Sequence, residues 1–143
     1  MIFYLYKSGI IDTLKGLVGV LVFSSVVHGH TLTVRIQNSD GISGRVHLGV
    51  FKKGPQFLKT PVYGAIVTPN AKEVLVSIDT VATDDYCLSA FHDKNNNGKL
   101  DFVFFFPSER TAFSQNYRPM GPPAFEGCAV RIDRDAVYTL RLE

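Results

Sequence analysis

From Thr31 onward the chain alternates apolar and polar residues with a period of two, and no other feature limits its fold as strongly. Thr31–Gln37 places Leu32, Val34 and Ile36 on one face, Gly44–Phe51 places Val46, Leu48 and Val50, and Glu73–Thr80 places Val74, Val76 and Ile78. A strand written this way buries one side and wets the other. No stretch of useful length repeats its apolar residues at helical spacing. Asn38-Ser39-Asp40-Gly41 and Lys52-Lys53-Gly54-Pro55 supply turn chemistry between the runs. Gln56–Pro69 is ambiguous, although Val62–Val67 reads as a short strand bracketed by prolines. Asp85–His92 is apolar on both faces, as expected of a central strand covered on both sides. Gly127–Asp133 points Cys128, Val130 and Ile132 inward, and Val137–Leu142 does the same with Tyr138, Leu140 and Leu142. About seven short strands separated by turns predict an all-β fold, an antiparallel β-sandwich.

The first 29 residues obey another rule. Lys7 and Lys15 lead into the apolar run Gly16–Phe23, and the segment ends Val27-His28-Gly29. This is the layout of a secretory signal peptide, and the run is shorter than the roughly 20 apolar residues of a membrane span. The expectation is a signal-peptide helix over residues 1–29, a β-domain over 30–143, and a periplasmic or secreted location. Membrane contact is expected only if that segment is not cleaved. The formal charge of the chain is +2 with no basic stripe, which argues against nucleic acid as a partner. In an exported protein Cys87 and Cys128 pair by default if their Cα atoms come within about 4.4–6.8 Å. Two buried thiols are the alternative, and the sequence does not choose between them.

Chemistry concentrates in His92-Asp93-Lys94-Asn95-Asn96-Asn97-Gly98-Lys99-Leu100-Asp101. Asp93, Asn95 and Asn97 carry oxygen at alternate positions, Gly98 bends the chain, and Asp101 adds a carboxylate. A calcium loop asks for this spacing, with a backbone carbonyl at the position of Lys99. The bidentate Glu that closes a full site is replaced here by Phe104, so the site is locally incomplete, and Glu109 and Glu126 are the candidates to supply the carboxylate from a distance. The competing reading is an ordinary Asx-rich turn without an ion. Beyond the loop, Phe102–Glu126 combines Phe102, Phe104, Phe105, Phe106, Phe113, Tyr117 and Phe125 with several prolines. Such a segment either packs its rings over one end of the sandwich or displays an aromatic recognition surface. Part of Phe102–Phe106 also reads as an edge strand.

An ordered string of short steps accompanies the loop: Pro107-Ser108-Glu109, Phe113-Ser114-Gln115-Asn116, and Gly121-Pro122-Pro123-Ala124-Phe125-Glu126. Together with His92–Asp101 it resembles a family of exported bacterial proteins catalogued as a domain of unknown function. The resemblance spans roughly Thr31 to Glu143 and implies a transthyretin-like β-sandwich outside the cytoplasm, with no established activity. The Phe102–Phe106 run is more apolar than that pattern leads one to expect.

Three functions arise as expectations. The first is a non-enzymatic binding or scaffold module, in which calcium bound through Asp93, Asn95, Asn97, Lys99, Asp101, Glu109 and Glu126 anchors the aromatic flap. Its partner is a protein, a glycan or a small apolar ligand. The second is a carrier for such an apolar ligand, with the Phe-rich segment as lid. The third is a hydrolase using Asp93, His92 and Ser114. It is disfavoured because neighbours in a strand point to opposite faces and no nucleophile elbow is present.

Overall fold

Alternating segments become strands wherever one face finds a partner sheet. The computed structural model describes residues 29–38 and 43–143; the expected signal peptide, apart from Gly29, lies outside the described residues. The described strands are β1 (His30–Asn38), β2 (Arg45–Phe51), β3 (Tyr63–Val67), β4 (Glu73–Val81) and β5 (Asp84–Asp93), then β6 (Phe102–Val103), β7 (Phe106–Pro107), β8 (Thr111–Phe113), β9 (Ala129–Ile132) and β10 (Ala136–Leu142). One sheet has the order β10-β1-β4. The other has the order β3-β2-β5-β8, with β9 also paired to β5, and β6-β7 form a separate hairpin.

The core lies between the two larger sheets. Leu32, Val34, Ile36, Leu140 and Leu142 of one meet Val46, Val50, Tyr86, Leu88 and Ile132 of the other, all buried. Apart from Tyr86 and Leu88, whose strand the alternation leaves unassigned, these are the inward positions that the alternation predicts. Among the described strands the pairing is antiparallel with one exception: β1 and β10 run parallel, from Leu32↔Ala136 to Asn38↔Leu142. Parallel neighbours need a long crossover, and here the whole second sheet intervenes between them in the chain. Along one edge the layers also join. Thr111 N donates to Glu143 O at 3.2 Å and Glu143 N to Thr111 O at 3.3 Å, so β8 of one layer meets the chain just after β10 of the other.

The central strand β5 is buried on both faces. Its inward residues Leu88, Ala90 and His92 are buried in the sandwich, and its outward residues Cys87 and Asp93 are buried as well. Structure must therefore cover the outer face of this sheet at both ends of β5. At the Cys87 end the cover is a helical turn, α1 (Phe125–Cys128), and a 3-10 turn at Ser114–Asn116. Cys128 departs from expectation here. It belongs to α1, and β9 begins only at Ala129, opposite Cys87. Helical backbone turns a residue about 100° rather than 180° from its neighbour. That takes Cys128 out of phase with Val130 and Ile132 and onto Cys87, with which it forms a disulfide at a Cα–Cα distance of 5.0 Å. Phe125 packs on the bridge, with Phe57, Phe113 and Tyr117 around it. Gly127 is required in this cover, because a Cβ there would lie 2.3 Å from the Tyr117 ring.

Candidate functional site

At the opposite end of β5, Asp93 is wholly buried and its carboxylate organises the loop beyond it. Asn97 N donates to its Oδ1 at 3.1 Å and Gly98 N to its Oδ2 at 2.8 Å. Gly98 has φ +80°, the left-handed conformation that a side chain opposes. Asn95 Oδ1 accepts from Asn97 N at 3.0 Å and Asn97 Oδ1 from Lys99 N at 2.9 Å, two Asx-turns in succession. Burial alone pushes the Asp93 carboxyl up. The N–H groups of Gly98 and Asn97, the nearby His47 and the N–H of Asn96 together outweigh it and hold the group below the usual carboxylate range.

Glu109 closes the loop at its root. Its Oε1 accepts from Lys94 N at 2.9 Å and its Oε2 from Asp101 N at 3.2 Å, so one carboxylate ties the loop's entry to its exit. Ser108 N donates to Asp101 O at 2.9 Å and extends the closure. The Asp101 carboxylate accepts from Asn95 Nδ2 at 2.6 Å and from Asn97 Nδ2 at 2.9 and 3.0 Å. Asp93, Asn95, Asn97, Asp101 and Glu109 are thus gathered into one hydrogen-bonded unit. Among the described residues no group of three His, Cys, Asp or Glu side chains could hold a metal ion; any ion here must also use the Asn oxygens.

Glu126 is not part of this unit. It is exposed and pairs with Lys53 at 2.6 Å. It adjoins the disulfide cluster, which lies six residues of β5 from Asp93, about 20 Å at strand rise. Ser114 also belongs to that end. It is buried, takes Leu88 N at 3.0 Å and donates to the Cys128 carbonyl, a bracing role far from His92 and Asp93. The histidine beside Asp93 is His47, with Nε2 3.3 Å from Oδ2 and its ring stacked on Phe91 at 4.5 Å. Sequence reasoning passed over it, because only the β2–β5 register, His47↔Phe91, sets it diagonally opposite Asp93.

From this pinned root rises the β6-β7 hairpin. Val103 pairs with Phe106, leaving Phe104 and Phe105 as a two-residue turn. Phe104 has φ +57°, where such hairpin turns favour Gly or Asn, and it is 91% exposed. Phe105 is 92% exposed, and Phe102 and Phe106 are more than half exposed. The aromatic set expected from the sequence therefore divides. Phe102 and Phe104 stand in the hairpin, whereas Phe113, Tyr117 and Phe125 pack around the disulfide. Phe105 and Phe106, which the sequence reading counts among the rings of this segment, belong with the first group. Their signal is the unbroken Phe104-Phe105-Phe106 run, which no period-two strand can bury. Beside the hairpin, over the outer face of β2 and β5, lies an open groove of about 1490 Å³ lined by Phe51, Ile66, Phe91, Phe102, Phe106 and Phe113, among others.

Fold and site together define a class: a two-sheet β-domain whose central strand ends in a carboxylate-pinned Asx loop carrying an exposed aromatic hairpin. The chain belongs to the bacterial family described as "Uncharacterized protein conserved in bacteria (DUF2141)", which it matches over residues 34–139. Neither the search of curated proteins nor that of solved structures found a match.

Proposed function

We propose that the protein is an exported binding module whose recognition element is the β6-β7 hairpin, held in one orientation by the Asp93–Asp101 loop and Glu109. One observation carries this reading: two phenylalanines fill a tight turn, more than nine-tenths exposed, one of them at positive φ. Exposed rings and left-handed backbone both cost stability, and such costs concentrate where function requires them. The support for export is the layout of residues 1–29 and a disulfide of the kind that persists in oxidising compartments.

The loop is suited to a calcium ion as an additional brace. Rotating the Asn95 and Asn97 side chains, at the cost of the two Asx-turns their oxygens make, would bring those oxygens toward Asp101 across a hard cation. Asp93, the Lys99 carbonyl and Glu109 would complete the donor set, without Glu126. Saturating calcium should then raise the melting temperature, by about 2.7 kcal/mol of stability at a hundredfold excess over Kd. Asp101→Ala should abolish the rise. Superimposable melts in calcium and in chelator remove the ion from the proposal and leave the hairpin reading intact.

The hairpin reading is tested by titrating an environment-sensitive apolar dye into wild-type protein and the Phe104→Ser/Phe105→Ser variant. Wild type should bind and brighten the dye, and the variant should lose most of that signal. Equal signals reject the hairpin as the recognition element. The groove supports a second reading, a carrier for a small apolar ligand, for which the Phe102 and Phe106 rings form one wall.

A further inference from the structure

Resting on the reading of the hairpin as recognition surface, we infer that its partner is an anionic lipid bilayer, into whose interface Phe104 and Phe105 insert. Shape is the first argument. A single apolar molecule is bound by being surrounded, but these two rings sit at the end of a turn and project outward. Phe105 contributes to the groove wall and Phe104 does not. A convex pair of rings suits a deformable apolar phase that closes around them. Met120, fully exposed between Pro119 and Gly121, is a second apolar projection on the rim of the same groove. Two projections flanking one face suit a planar partner better than a point ligand.

Charge is the second argument. Lys59, Lys99, Arg118 and Arg141 line this groove, and Glu143, paired with Arg118, is its one acidic residue among the described residues. Of the carboxylates at the hairpin's root, Asp93 turns onto the loop backbone and Glu109 onto the N–H groups of Lys94 and Asp101, while Asp101, half-buried, accepts from the Asn95 and Asn97 amides. The face around the rings is therefore cationic, and basic groups beside an apolar insertion add attraction to anionic headgroups. No described helix is long and apolar enough to cross a membrane. The hairpin's contact is separate from any contact that residues 1–29 make.

The test is cosedimentation of the full chain with vesicles of phosphatidylcholine containing phosphatidylglycerol, and with vesicles of phosphatidylcholine alone. Wild type and Phe104→Ser/Phe105→Ser are run in parallel, so that any contribution of residues 1–29 is common to both. Circular dichroism checks that the variant is folded, as expected for residues without packing partners. Loss of the two rings should lower partitioning into the anionic vesicles about a hundredfold. High salt, or omission of phosphatidylglycerol, should lower it about tenfold. Equal partitioning of wild type and variant overturns the inference. So does dye binding without vesicle binding, which leaves the recognition reading standing with another partner. Wild-type protein that binds neither the dye nor the vesicles overturns both. Stoichiometric uptake of free palmitate that the double substitution leaves unchanged overturns the inference in favour of the carrier.

Discussion

The two ends of β5 solve one problem in opposite ways. Each leaves a buried outward residue, Cys87 at one end and Asp93 at the other, and each is covered by chain that leaves the sheet and returns. At the Cys87 end the cover is covalent and apolar: a disulfide, the Phe125 ring, and Phe57 meeting Phe125 edge-on at 5.6 Å. At the Asp93 end it is polar: Asp93 and Glu109 accept backbone N–H groups, and the rings beyond them face solvent. Apolar cover hides its side chains in order to be stable. A loop held through its backbone can display them. The contrast explains how one molecule keeps Phe125 buried and Phe104 exposed.

The largest effect should come from the covalent end. Replacing both Cys87 and Cys128 by Ala reopens a connection with sequence separation 41, worth about 4 kcal/mol on the chain-entropy account. Denaturant unfolding should record that loss while dye binding at the hairpin in native buffer stays unchanged. A parallel loss of binding would mean that the two ends are not independent.

Asp93→Ala strikes the polar end. It leaves the N–H groups of Asn97 and Gly98 without their acceptor, for a loss of about 2–3 kcal/mol. Amide exchange should accelerate at Asn97 and Gly98 and stay slow at Leu88. Uniform acceleration would instead make the loop part of the global folding unit.

pH should separate the ends as well. The folded-state pKa of Asp93 is depressed, so its contribution is present above the ordinary carboxylate value of about 4 and is lost as pH falls through the lower folded value. Tyr86 behaves in the opposite sense. Burial, and then the neighbouring Tyr63, push it up to about 12, so its contribution is present below about pH 10 and is lost as pH rises through that folded value. Exchange monitored by NMR should show the loop loosening first in acid and the sandwich interior loosening in alkali. The smallest effect belongs to the hairpin tip: Phe104→Ser/Phe105→Ser should change global stability by no more than about 0.5 kcal/mol in the same denaturant assay. A larger loss would show that the rings pack in solution.

Much of the fold was legible before any pairing was known. The inward positions of β1, β2, β4 and β10 come from alternation, because a strand has only two faces and one of them must be apolar. The loop was legible for a similar reason: Asx side chains at alternate positions around Gly98 fold onto their own backbone and need little from elsewhere. Cys128 was misplaced because period-two reasoning cannot see a single helical turn. Glu109 and Glu126 looked equivalent as sequence-distant carboxylates. Only the path of the chain returned one to Asp101 and set the other against Lys53.

By itself, then, the sequence determined which residues line a β-core and where an Asx loop bends, since both depend on neighbours within a few positions. Tertiary structure decided the rest: the parallel β1-β10 pair, the approach of His47 to Asp93, the joining of Cys87 to Cys128, and the division of the rings between a buried cluster and an exposed tip. Each of these depends on which strands become neighbours. That is settled by packing two sheets over the whole chain, not by any local pattern.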